Sequence, residues 1–405
     1  MKSVRIYQST IQTISLKMPT SKSYGHRSLI AASLSKEVST IQNLPNNQDI
    51  QTTMACLKKL GVSFRQEGSQ TTIYPKWKIQ NSVVLDCHES GSTLRFLIPL
   101  VLIGDRIVKF QGTKRLLERP QTIYEFLARE KEFFFEKTAH SIFVKGPIQA
   151  GHFVVDGTIS SQFITGLLLA LPLLKGDSTL EIQGELVSKD YVEITLDVLC
   201  LAGIRIERTN HLFMIPGNQH YQAFKYEVEG DYSSAAFLYA LAFLHRKELS
   251  IENLNSFSKQ ADFKILAFLE QVKNRKASSF DLEGCPDLGP ILMAVSSQLE
   301  GTSHFVNIKR LRFKESDRIE AMREELKKLG IEMKVGENEA FITGGKLRPN
   351  QILSGHHDHR IVMALSVLAT LTKNTVIEGA NAIQKSYPNF FEDLKKLGVR
   401  VEEEG

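Results

Sequence analysis

Cations placed at the starts of apolar helices are the residues of this 405-residue chain most in need of a chemical reason. Residues 21–34 read SKSYGHRSLIAASL, so Lys22, Ser23, His26 and Arg27 open a segment apolar enough to be buried. A helix N-terminus is already positive, and a cation there is unfavourable unless an anion lies between it and the unbonded backbone N–H groups. A Ser cap with solvated cations is the plainer alternative. Odd polar or charged residues also open the apolar helices at ESGSTLR (89–95), ISSQF (159–163), DYSS (231–234), GCPDLGP (284–290) and HHDHR (356–360), the first and last of them with a cation. In GCPDLGP, Asp287 stands where a simple N-cap would stand. In HHDHR the residues His356, His357, Asp358 and His359 are consecutive and lack the i, i+4 spacing of helical metal ligands; an anion site with Arg360 fits better. KESDRIEAMREELKKLG (314–330) pairs Asp317 with Glu320 as in a capping box and puts Arg318 in the first helical position. By itself that run reads as a solvated helix start, and RLLERP (115–120) as a surface turn ended by Pro120.

A repeat organises the elements that carry these residues. LKKLG occurs at 57–61, 326–330 and 394–398, with a looser relative, VLCLAGI, at 198–204. Each closes an amphipathic helix with Gly and leads into a strand-like run. Weaker counterparts lie at 123–136 and 265–281. In step with them run six helices that are apolar nearly all round, starting near Ser21, Glu89, Ile159, Asp231, Cys285 and His356. Each is followed by a β-like run: 39–44, 106–112, 178–184, 248–254, 303–309 and 374–380. A unit of this kind cannot bury both faces alone and packs with its copies. Six units predict two domains of three, with equivalent helix N-termini meeting at one end of each domain as an anion site.

Composition excludes several classes. Hydrophobic content of 42%, charged content of 23% and a net charge of +5 are those of an ordinary globular protein. The Lys and Arg are interleaved with Asp and Glu, so no basic arm for nucleic acid is expected. Cys56, Cys87, Cys200 and Cys285 stand far apart, predicting reduced thiols and a cytoplasmic location rather than a zinc module. The start, MKSVRIYQST, has no signal-peptide core, and the apolar run 163–174 is too short to span a membrane. GxGxxG, GxxxxGK[ST] and GxSxG are all absent, so no nucleotide cofactor is expected.

Ten segments in order, SKSYGHR, SGSTLR, GTKRLLERP, SSQFITGLLL, SKDYVEITL, EGDYSSAAF, PDLGPI, KESDRI, DHR and KSYPNFF, resemble the signature segments of the 5-enolpyruvylshikimate-3-phosphate synthase family. The resemblance runs from about Pro19 to Phe391. It implies an α/β (α+β) protein of two similar domains, each three βαβαββ repeats with buried helices, an inverse α/β barrel. The expected division is 1–21 plus 229–405 for one domain and 22–228 for the other, with the active site in the cleft between them. The implied reaction moves the enolpyruvyl group of phosphoenolpyruvate to the 5-hydroxyl of shikimate 3-phosphate and releases phosphate. Each phosphate monoester carries roughly −1.5 to −2 and each substrate adds a carboxylate, about six negative charges in all. Lys22, Arg27, Arg95, Arg115, Lys314, Arg318, Arg360 and Lys385 are eight cations to meet them.

Residue by residue, the resemblance assigns Lys22, Ser23, Arg27, Ser160, Ser161, Gln162, Ser188, Asp287 and Lys314 to shikimate 3-phosphate. It assigns Lys22, Gly91, Arg115, Gln162, Arg318, Arg360 and Lys385 to phosphoenolpyruvate. Asp287 is implied to take the 5-hydroxyl proton, Glu315 to protonate the methylene carbon and recover a proton, and Lys22 to assist phosphate departure. No metal or cofactor is implied, and a monomer is expected. Glyphosate is expected as an inhibitor, since Gly91 offers no methyl group against it. Glu89 stands where many members of that family have Asn, Arg310 where Asn is often found, and Phe96 where some have Pro. One rival is the related transferase acting on UDP-N-acetylglucosamine, but residues 112–120 lack its loop Cys. Another is a non-catalytic polyanion binder such as an RNA-binding protein, disfavoured by the sparse aromatic residues near the basic motifs.

Overall fold

The computed structural model describes residues 2–13, 15–79, 82–186, 188–209 and 211–404. The chain divides into two compact units, Thr20–Glu229 and Met1–Pro19 with Gly230–Gly405.

Within Thr20–Glu229, three apolar helices, Lys22–Leu34, Gly91–Val101 and Ser161–Ala170, lead into Ser39–Gln42, Val108–Gln111 and Ser178–Gln183. Each of these strands sits second in a four-stranded sheet, parallel to one neighbour and antiparallel to the next. The parallel pairs Val83–Asp86 with Val108–Gln111 and His152–Asp156 with Ser178–Gln183 are joined through a buried helix, as parallel strands must be joined by a crossover. Amphipathic helices Gln48–Lys59, Thr122–Glu130 and Lys189–Leu201 cover the sheets. The helices Gly91–Val101 and Ser161–Ala170 approach closely, because a Cβ on Gly166 would lie 2.3 Å from the Arg95 carbonyl oxygen. Pro99 has no N–H to give that carbonyl, four residues back, and the Tyr124 hydroxyl donates to it at 2.5 Å instead.

Within the other unit, helices Tyr232–Leu244, Gly289–Ser296 and His359–Ala369 pack on one another and are almost wholly buried. Two sheets repeat the parallel-then-antiparallel order: Ser279–Asp281, Thr302–Val306, Glu339–Thr343, Glu332–Val335; and Ile352–Ser354, Thr375–Glu378, Ser3–Ile6, Val401–Glu404. The third repeat is reduced among the described residues to Ser250–Ile251 parallel to Ser15–Leu16. The segment 265–281, read as helix then strand, forms both, but its strand Ser279–Asp281 belongs to the next sheet. Gly61, Gly203, Gly330 and Gly398 all have φ between 75° and 95°, which accounts for the recurring Gly after each LKKL-type helix end. No helix among the described residues is long and apolar enough to cross a membrane.

Candidate active site

In Thr20–Glu229 most of the predicted residues lie at the starts of the three buried helices, with Ser188 and Arg115 on other helices. Lys22 begins Lys22–Leu34, and its Nζ lies 2.9 Å from Asp49 Oδ2 in the first turn of Gln48–Lys59. The N-cap Ser21 makes no side-chain cap bond. Ser23 is half-buried one residue on. Arg27 is buried, and its guanidinium donates to Thr195 Oγ1, Ser23 O, Thr165 Oγ1 and Tyr191 O at 2.8 to 3.2 Å. Its face also lies 5.0 Å from the Phe96 ring centroid. Phe96 is therefore a packing platform for Arg27. Burial lowers the Arg27 guanidinium to about 10, against Tyr191 and Tyr24. Four of its five donors are used within the protein, so Arg27 locks three helices together as much as it offers charge.

Gly91 and Gln162 meet at the adjoining helix starts. Ser90 caps Gly91–Val101 through Thr93 N, and Ser160 caps Ser161–Ala170 through Gln162 N. Gln162 Oε1 accepts from Arg95 at 2.8 Å while its Nε2 donates to Ser92 Oγ at 3.1 Å. A Cβ on Gly91 would lie 3.0 Å from an Arg119 terminal nitrogen and 3.3 Å from Gln162 Oε1. Ser161 is buried, and Ser188 is the buried N-cap of Lys189–Leu201 with φ of 57°. Arg115 is half-buried in the short helix Lys114–Glu118, which replaces the turn expected there.

In the other unit the predicted residues form one ion network. Arg318 is 1% exposed and grips three carboxylates: Asp358 Oδ2 at 2.8 Å, Asp287 Oδ1 at 2.7 Å and Glu315 Oε2 at 2.7 Å. Asp287 also receives Arg360 at 3.0 Å and Lys314 at 3.3 Å, and Glu315 receives Lys385 at 3.3 Å. Burial would raise the Asp287 carboxyl, but Arg360, Lys314 and Arg318 outweigh it and hold Asp287 well below the usual carboxylate range. For Arg318, burial is outweighed by Asp358, Glu315 and Asp287, which raise it. Burial brings the Lys314 ammonium down to about 8 despite Asp287. Asp287 does not act as a helix cap: it lies in the 3₁₀ turn Pro286–Leu288 and its oxygens go to cations. The capping box is half formed, because Asp317 accepts from Ile319 and Glu320 N–H while Glu320 turns to Arg323.

Several contributors escape a linear reading. Asp358, wholly buried, caps His359–Ala369 through Arg360 N at 2.9 Å while holding Arg318, so one carboxylate sets two cations. Its place as N-cap was readable from HHDHR, but its pairing with Arg318 was not. Asp49 and Arg119 gave no signal either, since Lys22, which Asp49 pairs with, and Gly91, which Arg119 approaches, lie 27 and 28 residues away along the chain. His356 turns to Glu325 at 2.8 Å, and with Glu324 these three form a cluster of possible metal ligands. Lys328 already lies 2.8 Å from Glu325 there.

The family model described as EPSP synthase (3-phosphoshikimate 1-carboxyvinyltransferase) matches residues 7–394. A 3-phosphoshikimate 1-carboxyvinyltransferase of Clostridium perfringens is 40% identical, with 100% of both chains covered. One of Clostridium acetobutylicum is also 40% identical, over 96% of each chain. Among solved structures, EPSP synthase from Acinetobacter baumannii matches with a TM-score of 0.81 at 20% identity, covering 100% of both chains. The enolpyruvyl transferase NikO of Streptomyces tendae matches with 0.80 at 15% identity, covering 99% of this chain and 98% of that one. These two likenesses establish the fold, and the full-length match to the family model and to relatives at 40% identity establishes more: this chain belongs to the EPSP synthase family.

Proposed function

We propose that this protein transfers the enolpyruvyl group of phosphoenolpyruvate to the 5-hydroxyl of shikimate 3-phosphate, releasing phosphate, in the pathway to the aromatic amino acids. The observation that carries the reading is the ion network: two carboxylates, Asp287 and Glu315, sit within salt-bridge distance of four cations that suit anionic substrates. Addition and elimination through a tetrahedral intermediate need a base for the hydroxyl, an acid for carbon and fixed positive charge. Asp287 takes the 5-hydroxyl proton as that oxygen bonds to C2 of phosphoenolpyruvate, and Glu315 protonates C3. Phosphate then leaves as Glu315 recovers a proton from the new methyl group, and Lys22 assists the departing anion.

Without substrate, Arg360, Lys314 and Arg318 hold Asp287 as a weak base. A bound phosphate or carboxylate competes for Arg318 and Arg360, and each cation drawn away from Asp287 restores basicity to it. Binding therefore prepares the base that reacts. Shikimate 3-phosphate is assigned to Lys22, Ser23, Arg27, Ser160, Ser161, Gln162, Ser188, Asp287 and Lys314. Phosphoenolpyruvate is assigned to Lys22, Gly91, Arg115, Gln162, Arg318, Arg360 and Lys385. Residues of both units are thus required for turnover. The same reading gives a cytoplasmic monomer and an enzyme open to glyphosate at the phosphoenolpyruvate position. The test is release of inorganic phosphate, which must appear only when both substrates are supplied; release from phosphoenolpyruvate with UDP-N-acetylglucosamine instead would refute it.

A further inference from the structure

Asp262 is a buried acid that the proposed chemistry leaves unused. It lies in the 3₁₀ turn Ala261–Lys264 and is 1% exposed. One carboxylate oxygen, Oδ2, accepts the hydroxyl of Ser233 at the start of Tyr232–Leu244. The other, Oδ1, is buried and finds no hydrogen-bond donor among the described residues. A carboxylate in such a place is costly unless it is paired with a cation or carries a proton. Its electrostatic neighbours come from three other elements: Asp231 and Ser233 at the start of Tyr232–Leu244, Asp287 from Pro286–Leu288, and Arg360 from His359–Ala369. Lys264, on its own turn, reaches toward Gly284, where a Cβ would lie 2.6 Å from Nζ.

The charge count gives this acid its leverage. Lys314, Arg318, Arg360 and Lys385 face three carboxylates, Asp287, Glu315 and Asp358, so the network carries one net positive charge. A negative Asp262 cancels that charge, and a protonated one leaves it for an incoming anion. We propose that Asp262 is a positioning residue for the reaction, whose carboxyl sets, by gaining or losing one proton, how much of the Arg360 charge is available to phosphoenolpyruvate. Burial and then the like charge of Asp287 push the Asp262 carboxyl up to about 6, against Arg360 and the Ser233 hydroxyl. The exchange therefore falls in the range where cells operate. Below it Asp262 is neutral and Asp287 alone competes with the substrate anion for Arg360; above it Asp262 competes as well.

This inference rests on the function proposed above, and the test separates the two. The Michaelis constant for phosphoenolpyruvate is measured from pH 5 to 8 for the wild type, Asp262→Asn and Ser233→Ala. The phosphate of phosphoenolpyruvate itself ionises near pH 6, but that change cancels in the ratio of wild type to variant. The ratio of wild type to Asp262→Asn is expected to rise from near one at pH 5 to on the order of fivefold at pH 8, the worth of one nearby, partly screened charge. Ser233→Ala removes a hydrogen bond to the charged form and should move the midpoint to higher pH. The Asn variant should also lose turnover at pH 8, because Asp287 then lacks the like charge that makes it more basic. A ratio that stays flat in an active enzyme, or an unmoved midpoint in Ser233→Ala, overturns the role of Asp262. A wild type that releases no phosphate with both substrates refutes the reaction instead.

Discussion

Replacing Asp358 with Asn should be among the most costly isosteric changes in this protein. The carboxylate is wholly buried, accepts Arg318 Nε at 2.8 Å and a terminal Arg318 nitrogen at 3.4 Å, and accepts the Ser316 hydroxyl at 3.1 Å. Breaking a buried ion pair by removing one partner costs about 3–5 kcal/mol, mostly because the other charge stays buried. Arg318 keeps Asp287 and Glu315, so its charge stays partly compensated and the cost falls below that range, to about 2–3 kcal/mol. Asn retains an oxygen for the Arg360 N–H cap, whereas Ala loses it, adding about 1 kcal/mol. At about 2–4 °C per kcal/mol for a domain of this size, Asp358→Asn should melt roughly 4–12 °C lower at pH 7. The pH dependence supplies a second readout. Burial would raise the Asp358 carboxyl, but Arg318 outweighs it and holds the folded value low. The stabilisation is then fully present above the unfolded carboxyl value of about 3.9 and lost as pH falls through the lower folded value. The gap between wild type and Asn variant should accordingly narrow below about pH 4. Thermal melts by circular dichroism at pH 7 and at pH 3.5 measure both. A melting temperature within 1 °C of wild type at pH 7 would refute the claim that Asp358 compensates Arg318.

Two other expectations follow from distances and charges in the site. A Cβ at position 91 crowds Arg119 and Gln162 at 3.0 and 3.3 Å, so Gly91→Ala should raise the glyphosate inhibition constant by on the order of tenfold or more, while a bare phosphate probe is less affected; equal inhibition of both enzymes would remove the steric argument. Lys314 titrates at about 8, so shikimate 3-phosphate affinity measured by calorimetry should fall above that pH by up to about tenfold per unit, and Lys314→Met should abolish the slope.

The sequence announced the repeat because the repeat is local. All-apolar helices, a Gly after each LKKL-type end and a β-like run behind each helix are read within about twenty residues, and strands form at all six predicted positions. The cations at helix openings were equally visible, since a charge before an apolar run contrasts with its neighbours. What stayed hidden was partner choice. Asp287 reads as a cap until Arg318 and Arg360, 31 and 73 residues on, are seen to claim its oxygens. Asp358 reads as the middle of a histidine run until Arg318 reaches it. Phe96 reads as a departure from a family pattern, and the structure makes it the surface on which Arg27 lies. The reduced third repeat around Ser250–Ile251 was masked by ELSIENL, whose alternation promises a fuller sheet than two short strands provide.

Asp287 and Glu315 are proposed to move protons and not merely to serve as counter-ions to the cations around them. Asp287→Asn and Glu315→Gln keep size and some hydrogen bonding but lose basicity, so each should lower turnover by roughly 10²- to 10⁴-fold. Their affinity for shikimate 3-phosphate should hold or tighten slightly, because a negative charge near the anion is gone. The decisive measurement is phosphate release at saturating concentrations of both substrates, made on variants whose binding has been verified by calorimetry. Binding should stay intact while turnover is lost. Near-normal phosphate release from both carboxamide variants would contradict proton transfer and return the two carboxylates to a purely structural role.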